Sequence, residues 1–255
     1  GDHRDLHSFP TRRSSDLLEL LERDKRETTR EYVIRVLRHN IINLNLKPGQ
    51  FVSENEIAEI LGVSRTPVRE AFIELSKSAL VEIYPQRGTC IAPIDMDVVE
   101  ESRFMRCVLE KAVIQLACDK ISDRDITKLE DNLQLQETCL GHHDPQYLLY
   151  LDDKFHEYLF EICNKKMTYN LIKSAVAQFD RVRILNYTEM DMNVSVNEHR
   201  ELLEAIRRRD KELATELMEK HLTRVIYDMS YLKEKHPEYF KGNIIKVSSY
   251  AGNDS

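Results

Sequence analysis

The stretch 53–71 restricts the fold more than any other part of the sequence. Ser53 followed three residues later by Glu56 is typical of a capping box, which begins a helix. Gly62 supplies the left-handed residue that ends such a helix, and Ser64 is placed to cap a second one. The stretch therefore predicts two short helices joined by a tight turn.

The N-terminal part of the second predicted helix carries side chains that suit DNA. Ser64, Arg65, Thr66 and Arg69 cluster there, and a helix-turn-helix protein presents this part of its recognition helix to bases and phosphates. The segment 81–92 then alternates like a hairpin whose turn contains Arg87 and Gly88. A hairpin after a helix-turn-helix predicts a winged helix, with a cation and bare backbone at the wing tip.

The charge distribution is compatible with DNA binding, although the net charge is -7. Residues 28–92 are close to neutral, and most of the acidic excess lies in residues 93–240. A small domain near neutrality binds DNA when its few cations lie on one face.

The cysteine spacing and the hydropathy pattern exclude several classes of protein. The 5 Cys form no Cys-x-x-Cys pair, which excludes a zinc ribbon and a disulfide framework. No apolar run reaches the roughly 18 residues that span a bilayer, and no secretory signal is apparent. We therefore expect reduced thiols in a cytoplasmic, nucleoid-associated protein that does not contact a membrane.

The chain divides into an expected series of segments. Residues 1–16 show no helical or strand periodicity and are interpreted as a non-native leader. The alternative is a basic arm at Arg12 and Arg13. A winged helix-turn-helix domain is predicted over 17–92, opening with one helix over 17–44. A linker (93–97), a helical domain (98–240) and a polar tail (241–255) are expected to follow.

The second domain has the apolar period of helices throughout. Together these features predict a mainly α protein, in which the winged helix precedes an antiparallel bundle of about six helices. The predicted bundle helices are 97–120, 122–140, 145–163, 166–187, 195–208 and 210–235.

Four polar residues of the bundle are candidate metal ligands. Asp152 and His156 are four residues apart and share one helix face, while His199 and His221 lie on two other predicted helices. Spacing alone leaves ordinary buried or surface histidines as the alternative. Arg106 has two interpretations as well: an ordinary surface pair with Glu110, or a cation turned inward to hold a carboxylate ligand.

These residues resemble a known family. The run 61–71, followed by Leu80-Val81 and Arg87-Gly88, resembles the winged helix of the GntR superfamily of bacterial transcription regulators. The helical half resembles the FCD ligand-binding domain of its FadR-type branch, over about residues 28–235 in all. The residues that carry this second resemblance are Arg106, Glu110, Asp152, His156, Glu198, His199 and His221.

The resemblance implies specific roles. Ser64, Arg65, Thr66 and Arg69 would contact operator DNA, with the wing entering beside Gly88. Asp152, His156, His199 and His221 would bind a divalent metal, zinc in first place and nickel or manganese as alternatives. Arg106 would meet the carboxylate of a small organic acid. The resemblance also implies a homodimer on a palindromic operator.

The leading hypothesis is a metabolite-responsive transcription regulator, a repressor rather than an enzyme. The sequence contains no nucleophile elbow, phosphate-binding glycine-rich loop or His-Glu-x-x-His pattern. A metal-dependent enzyme fused to a helix-turn-helix is the first alternative. A winged helix that binds protein is the second.

Overall fold

A computed structural model describes residues 18–242 of the chain. Its backbone separates into two compact units, with the boundary between Ala92 and Pro93. The first unit is a helical domain with a small sheet and the second consists of helices. The prediction of a mainly α protein is therefore confirmed. The predicted leader and residues 243–255 of the predicted tail lie outside the described residues.

The first helix is shorter than predicted. It runs from Thr29 to Ile42 (α1), because Thr28 and Glu31 form a reciprocal capping box that fixes its start. Residues 18–28 are not helical, so the single helix predicted over 17–44 is wrong over those residues. Buried Asn40 holds this segment instead, since its side chain exchanges two hydrogen bonds with the backbone of Glu19.

The helix-turn-helix forms where its sequence pattern predicts it, but only half of the predicted capping box is present: the Ser53 hydroxyl accepts from the backbone N–H of Glu56. Its helices are Glu54–Leu61 (α2) and Arg65–Lys77 (α3). Gly62 ends α2 in the left-handed conformation, with φ of 63°. Ser64 stands at the N-cap position of α3, but its hydroxyl makes no capping hydrogen bond, so the predicted cap is wrong in that detail.

The wing is a three-stranded antiparallel sheet. Its strands are Phe51–Val52 (β1), Val81–Tyr84 (β2) and Gly88–Ile91 (β3), with β3 in the centre. The hairpin of β2 and β3 was predicted, whereas the pairing of β1 with β3 was not. Gly88 has φ of 103°, and a Cβ there would lie 3.2 Å from the backbone oxygen of Val52, so any other residue would be strained and crowded.

The second unit contains more helices than predicted. Among residues 93–242 they are Met96–Lys120 (α4), Asp123–Leu140 (α5), Pro145–Ile162 (α6), Lys166–Ala175 (α7), Ala177–Glu189 (α8), Asn193–Arg207 (α9), Lys211–Tyr227 (α10) and Met229–Lys235 (α11). The predicted linker 93–97 is shortened, because Asp95 caps α4. A 3₁₀ helix, Pro237–Tyr239, follows α11.

Two of the six predicted bundle helices each divide in two. One interruption is at Val176 and the other at Asp228, and both residues serve as cap positions between consecutive helices. Neither is glycine or proline, so the sequence gives no strong signal for a break. The first interruption turns the chain into α8, whose residues 177–187 are all buried.

Helix α8 therefore occupies the interior of the second unit, where it packs against α4 and α6. Its buried face includes Asp180, Arg181 and Arg183, which makes the interior of the bundle unusually polar. In the part of the chain that the structure describes, no helix is long and apolar enough to cross a bilayer.

Candidate DNA interface and metal centre

The start of α3 presents the predicted DNA-contacting side chains to solvent. Ser64, Arg65, Thr66 and Arg69 are all exposed, and the side chains of Arg65 and Arg69 are 59% and 63% accessible. Val68 faces the opposite way and is fully buried under the helix. The apolar face of α3 therefore fixes the helix while its charged face stays open.

The wing lies beside this face. Arg87 is exposed at the tip, and its guanidinium carbon lies 5.9 Å from the ring centres of both Phe51 and Tyr84. Such cation–π contacts order an otherwise mobile arginine. A concavity of about 350 Å³ separates the wing from the first turns of α2 and α3, and Arg65, Arg69 and Gly88 line it.

The four candidate metal ligands meet inside the second unit. Asp152 and His156 come from α6, His199 from α9 and His221 from α10, and all four side chains are buried. One ligand atom from each lies within 4.8 Å of the others. Three helices that are distant in sequence thus bring the predicted set to one point.

Polar contacts orient the imidazoles of His221 and His156 toward that point. Nδ1 of His221 lies 2.9 Å from Oε2 of Glu198, and Nδ1 of His156 is within ion-pair distance of Oε2 of Glu110, without the geometry of a hydrogen bond. A carboxylate accepts from a proton-bearing nitrogen, so these contacts favour the tautomers that carry hydrogen on Nδ1 and turn Nε2 inward. This carboxylate–histidine arrangement is typical of metal sites.

The third imidazole is oriented by a chain of amides. Asn132 donates to the backbone oxygen of Leu151, so its own side-chain oxygen accepts from Nε2 of Gln136. Gln136 therefore offers its oxygen to Nδ1 of His199, 2.7 Å away. The lone pair of His199 Nε2 must then face inward, where it has no hydrogen-bond partner in the described structure.

With those tautomers the centre is unfavourable unless a cation is present. The Nε2 atoms of His156 and His221 lie 3.2 Å apart, so their lone pairs would face each other. Buried lone pairs that face each other without a proton cost free energy. Three imidazole nitrogens and one carboxylate are the donor set of a divalent transition metal, so the residues fit such an ion.

The pKa shifts of the candidate ligands agree with the binding of a metal ion. Burial opposes the charged form of Asp152, but Arg183 and the neighbouring imidazoles hold its pKa well below the usual value. Burial also lowers the pKa of His199 and of His221. The carboxylate is therefore ionised and these two imidazoles are neutral near pH 7, as metal ligation requires.

Asp152 has further partners that the sequence analysis did not place. Arg183 donates to Oδ1 of Asp152, and the hydroxyl of Tyr187 donates to Oδ2 at 2.7 Å. Arg183 also binds Asp153 and Asp180 at 2.8 and 2.9 Å. Neither Arg183 nor Tyr187 stands at a spacing from Asp152 that would indicate these contacts in the sequence.

Arg106 is turned inward. Only 4% of the residue is exposed, and its Nε donates to Glu110 Oε1 at 2.7 Å. The interpretation as an ordinary surface pair is therefore wrong, although the partner is the expected one. Arg106 lines a cavity of about 20 Å³ together with Asp152, Arg183 and His221. That volume holds about one water-sized group.

Arg181 differs from Arg183, two residues away, in its hydrogen-bond partners. It is fully buried and donates from Nη1 to Gln178, while its Nε and Nη2 find no acceptor in the described structure. Burial lowers the pKa of Arg181 to about 9. The structure gives this side chain no part in the four-ligand cluster.

Comparisons with known families match both units. Residues 29–91 match the gntR family of bacterial regulatory proteins, and residues 101–224 match the FCD domain. The solved structure of Escherichia coli McbR/YncC has the same fold, with a TM-score of 0.69 at 19% identity over 82% of this chain and 99% of that one.

Curated relatives extend the likeness over most of the sequence. An HTH-type transcriptional regulator in an unstable DNA locus of Streptomyces ambofaciens is 31% identical over 84% of this chain and 90% of its own length. The HTH-type transcriptional repressor RspR of Escherichia coli K12 is 29% identical over 82% of this chain and 92% of that protein. These relatives are regulators, so the alternative of a fused metalloenzyme gains no support.

Proposed function

This chain belongs to the GntR family of bacterial regulatory proteins that carry an FCD domain, and we propose that it is a metabolite-controlled repressor. The first unit binds operator DNA. The second unit binds a divalent metal, zinc in first place, and a small organic acid beside it. The convergence of Asp152, His156, His199 and His221 is the observation that carries the control half of this proposal.

DNA recognition is assigned to α3 and the wing. Arg65 and Arg69 read base edges in the major groove, Ser64 and Thr66 contact the backbone, and the wing reaches the sugar-phosphate chain beside Gly88, with Arg87 at its tip. The exposure of these side chains on one face supports the assignment.

The charge around the metal centre supports an anionic effector. Its carboxylates exceed its cations by one, and a divalent ion reverses that balance to one positive charge. A single carboxylate then restores neutrality, which is favourable in a buried site. The groups counted are Glu110, Asp152, Asp153, Asp180 and Glu198 against Arg106, Lys173, Arg183 and Arg224.

The size of the cavity supports a switch. About 20 Å³ beside Asp152 is too small for an organic acid, so an effector displaces the groups that line it. Arg106 and Arg183 are the cations nearest to the incoming carboxylate, and Arg183 lies on the central helix α8. Effector binding therefore shifts side chains of α8, and operator affinity changes in response.

A second copy of the chain completes the operator-binding form. One recognition helix reads one half-site, so a palindromic operator requires two copies. The exposed face of α4 carries Phe104, Val108 and Leu116 at spacings of four and eight residues, with exposed fractions of 60%, 52% and 37%. Such an apolar stripe suits the interface of a homodimer.

The DNA assignment is tested by selection and substitution. Wild-type protein selects duplexes from a random-sequence library, and the enriched duplex is then titrated with Arg65→Ala. We expect specific affinity to fall by about 5- to 150-fold, the range for loss of one bidentate base contact. Arg26→Ala, an exposed cation outside the helix-turn-helix, is the control. Equal protection of the duplex by both variants would refute the assignment.

A further inference from the structure

A carboxylate from α2 holds both arginines that are assigned to base reading. Arg69 donates from Nε to Oε1 of Glu54 at 3.0 Å and from Nη2 to Oε2 at 3.2 Å. Arg65 donates from Nη2 to the same Oε2 at 3.2 Å. Glu54 is the first residue of α2, and its side chain is less exposed, at 24%, than either arginine. One glutamate thus bridges two cations of another helix.

The contact leaves part of each guanidinium available. An arginine has five N–H donors in a fixed plane. Glu54 takes the side edge of Arg69, formed by Nε and one hydrogen of Nη2, so the end formed by Nη1 and Nη2 keeps its outward donors. Guanine offers N7 and O6 in the major groove, which two parallel donors of one arginine can bind.

We propose that Glu54 is a positioning residue for sequence recognition, which holds Arg65 and Arg69 in the rotamers that read guanine. The inference rests on the proposed function, since it requires that α3 reads DNA. Two long exposed side chains would otherwise have to be ordered when DNA binds. Their order in the free protein lowers that cost and fixes the direction of the donors.

A competing role for Glu54 predicts the opposite sign. A carboxylate beside the recognition helix repels phosphates and occupies donors, so its removal would tighten binding to every duplex. If Glu54 positions the arginines, its removal weakens binding to the correct duplex even though a negative charge is lost. One substitution therefore separates the two roles.

The test compares Glu54→Gln with Glu56→Gln. Both changes remove one negative charge from the first turn of α2, but Glu56 is exposed and makes no arginine contact in the described structure. The probes are the duplex that the wild-type protein selects from a random library and a shuffled duplex of equal length. Thermal melting of both variants checks that the fold is kept.

We expect E54Q to bind the selected duplex roughly tenfold more weakly than E56Q, with equal binding of the shuffled duplex and a relaxed guanine preference on reselection. If E54Q binds the selected duplex as tightly as E56Q or more tightly and keeps its guanine preference, this inference is overturned while the proposed DNA recognition stands. If the wild-type protein enriches no duplex even at low salt, the proposed DNA recognition fails and this inference falls with it.

Discussion

Gln136 provides a sharp test of how the metal centre is built, because it touches an expected ligand without being one. In Gln136→Met, the side chain keeps its length but loses the oxygen that accepts from His199 Nδ1. His199 is then free to place its proton on Nε2, the atom that faces Asp152. Loss of such an orienting partner typically lowers metal affinity 10- to 100-fold, or about 1.4–2.8 kcal/mol.

The effect is measured by zinc competition against a chelator and by thermal melting. At zinc one hundred times the wild-type Kd, the ion stabilises the wild type by about 2.7 kcal/mol, and a tenfold weaker variant by about 1.4 kcal/mol. Gln134→Met, an exposed position on the same helix, is the control. If Q136M and Q134M bind zinc equally, the amide chain does not orient the imidazole and the reasoning is refuted.

Three further predictions concern stability. Arg106→Met leaves buried Glu110 without its arginine and should lower the free energy of unfolding by about 3–5 kcal/mol, as measured with urea. The double variant with Glu110→Leu should recover part of that loss. Lys173 and Arg183 overcome burial and lower the pKa of Asp180 to about 2 from 3.8. Its stabilisation is therefore present above pH 4 and lost as the pH falls to about 2, where the wild type should lose about 2 kcal/mol more than Asp180→Asn. An equal acid slope for the two proteins would contradict this assignment. Arg181→Met removes a buried cation that has no carboxylate partner among residues 18–242 and should raise stability by about 1–4 kcal/mol, whereas a lower melting temperature would show that Arg181 is needed.

Local signals in the sequence were enough for much of the fold. The helix-turn-helix depends on the Ser53 cap and on one glycine, which act within a few residues, and Gly62 ends α2 as its type predicts. The helix predicted before Thr28 is wrong because apolar spacing does not distinguish a helix from an extended segment that packs against a helix. Its contact with Asn40 spans 21 residues, which no local window can reveal.

In the candidate metal centre, too, local spacing predicted one part of the arrangement and long-range packing determines the rest. Asp152 and His156 share a helix face, so their spacing suggested a pair. His199 and His221 entered as candidates from their positions on other helices, and the resemblance strengthened a grouping that spacing alone supports only weakly. The partners that orient the rings depend on the packing of separate helices: Gln136 is 63 residues from His199, and Glu198 is 23 residues from His221. Sequence spacing carries no information on such contacts.

The most direct test of the whole account is the operator affinity of zinc-loaded protein in the presence of small acids. Fluorescence anisotropy with the selected duplex would be measured against a panel of two- to six-carbon mono-, di- and hydroxycarboxylates, with the matching amides as controls. We predict that at least one acid weakens operator binding by 5-fold or more, that its amide does not, and that operator DNA weakens binding of the acid by the same factor. An operator Kd that stays constant across the panel, with and without zinc, would contradict control of DNA binding by a carboxylate at the metal centre.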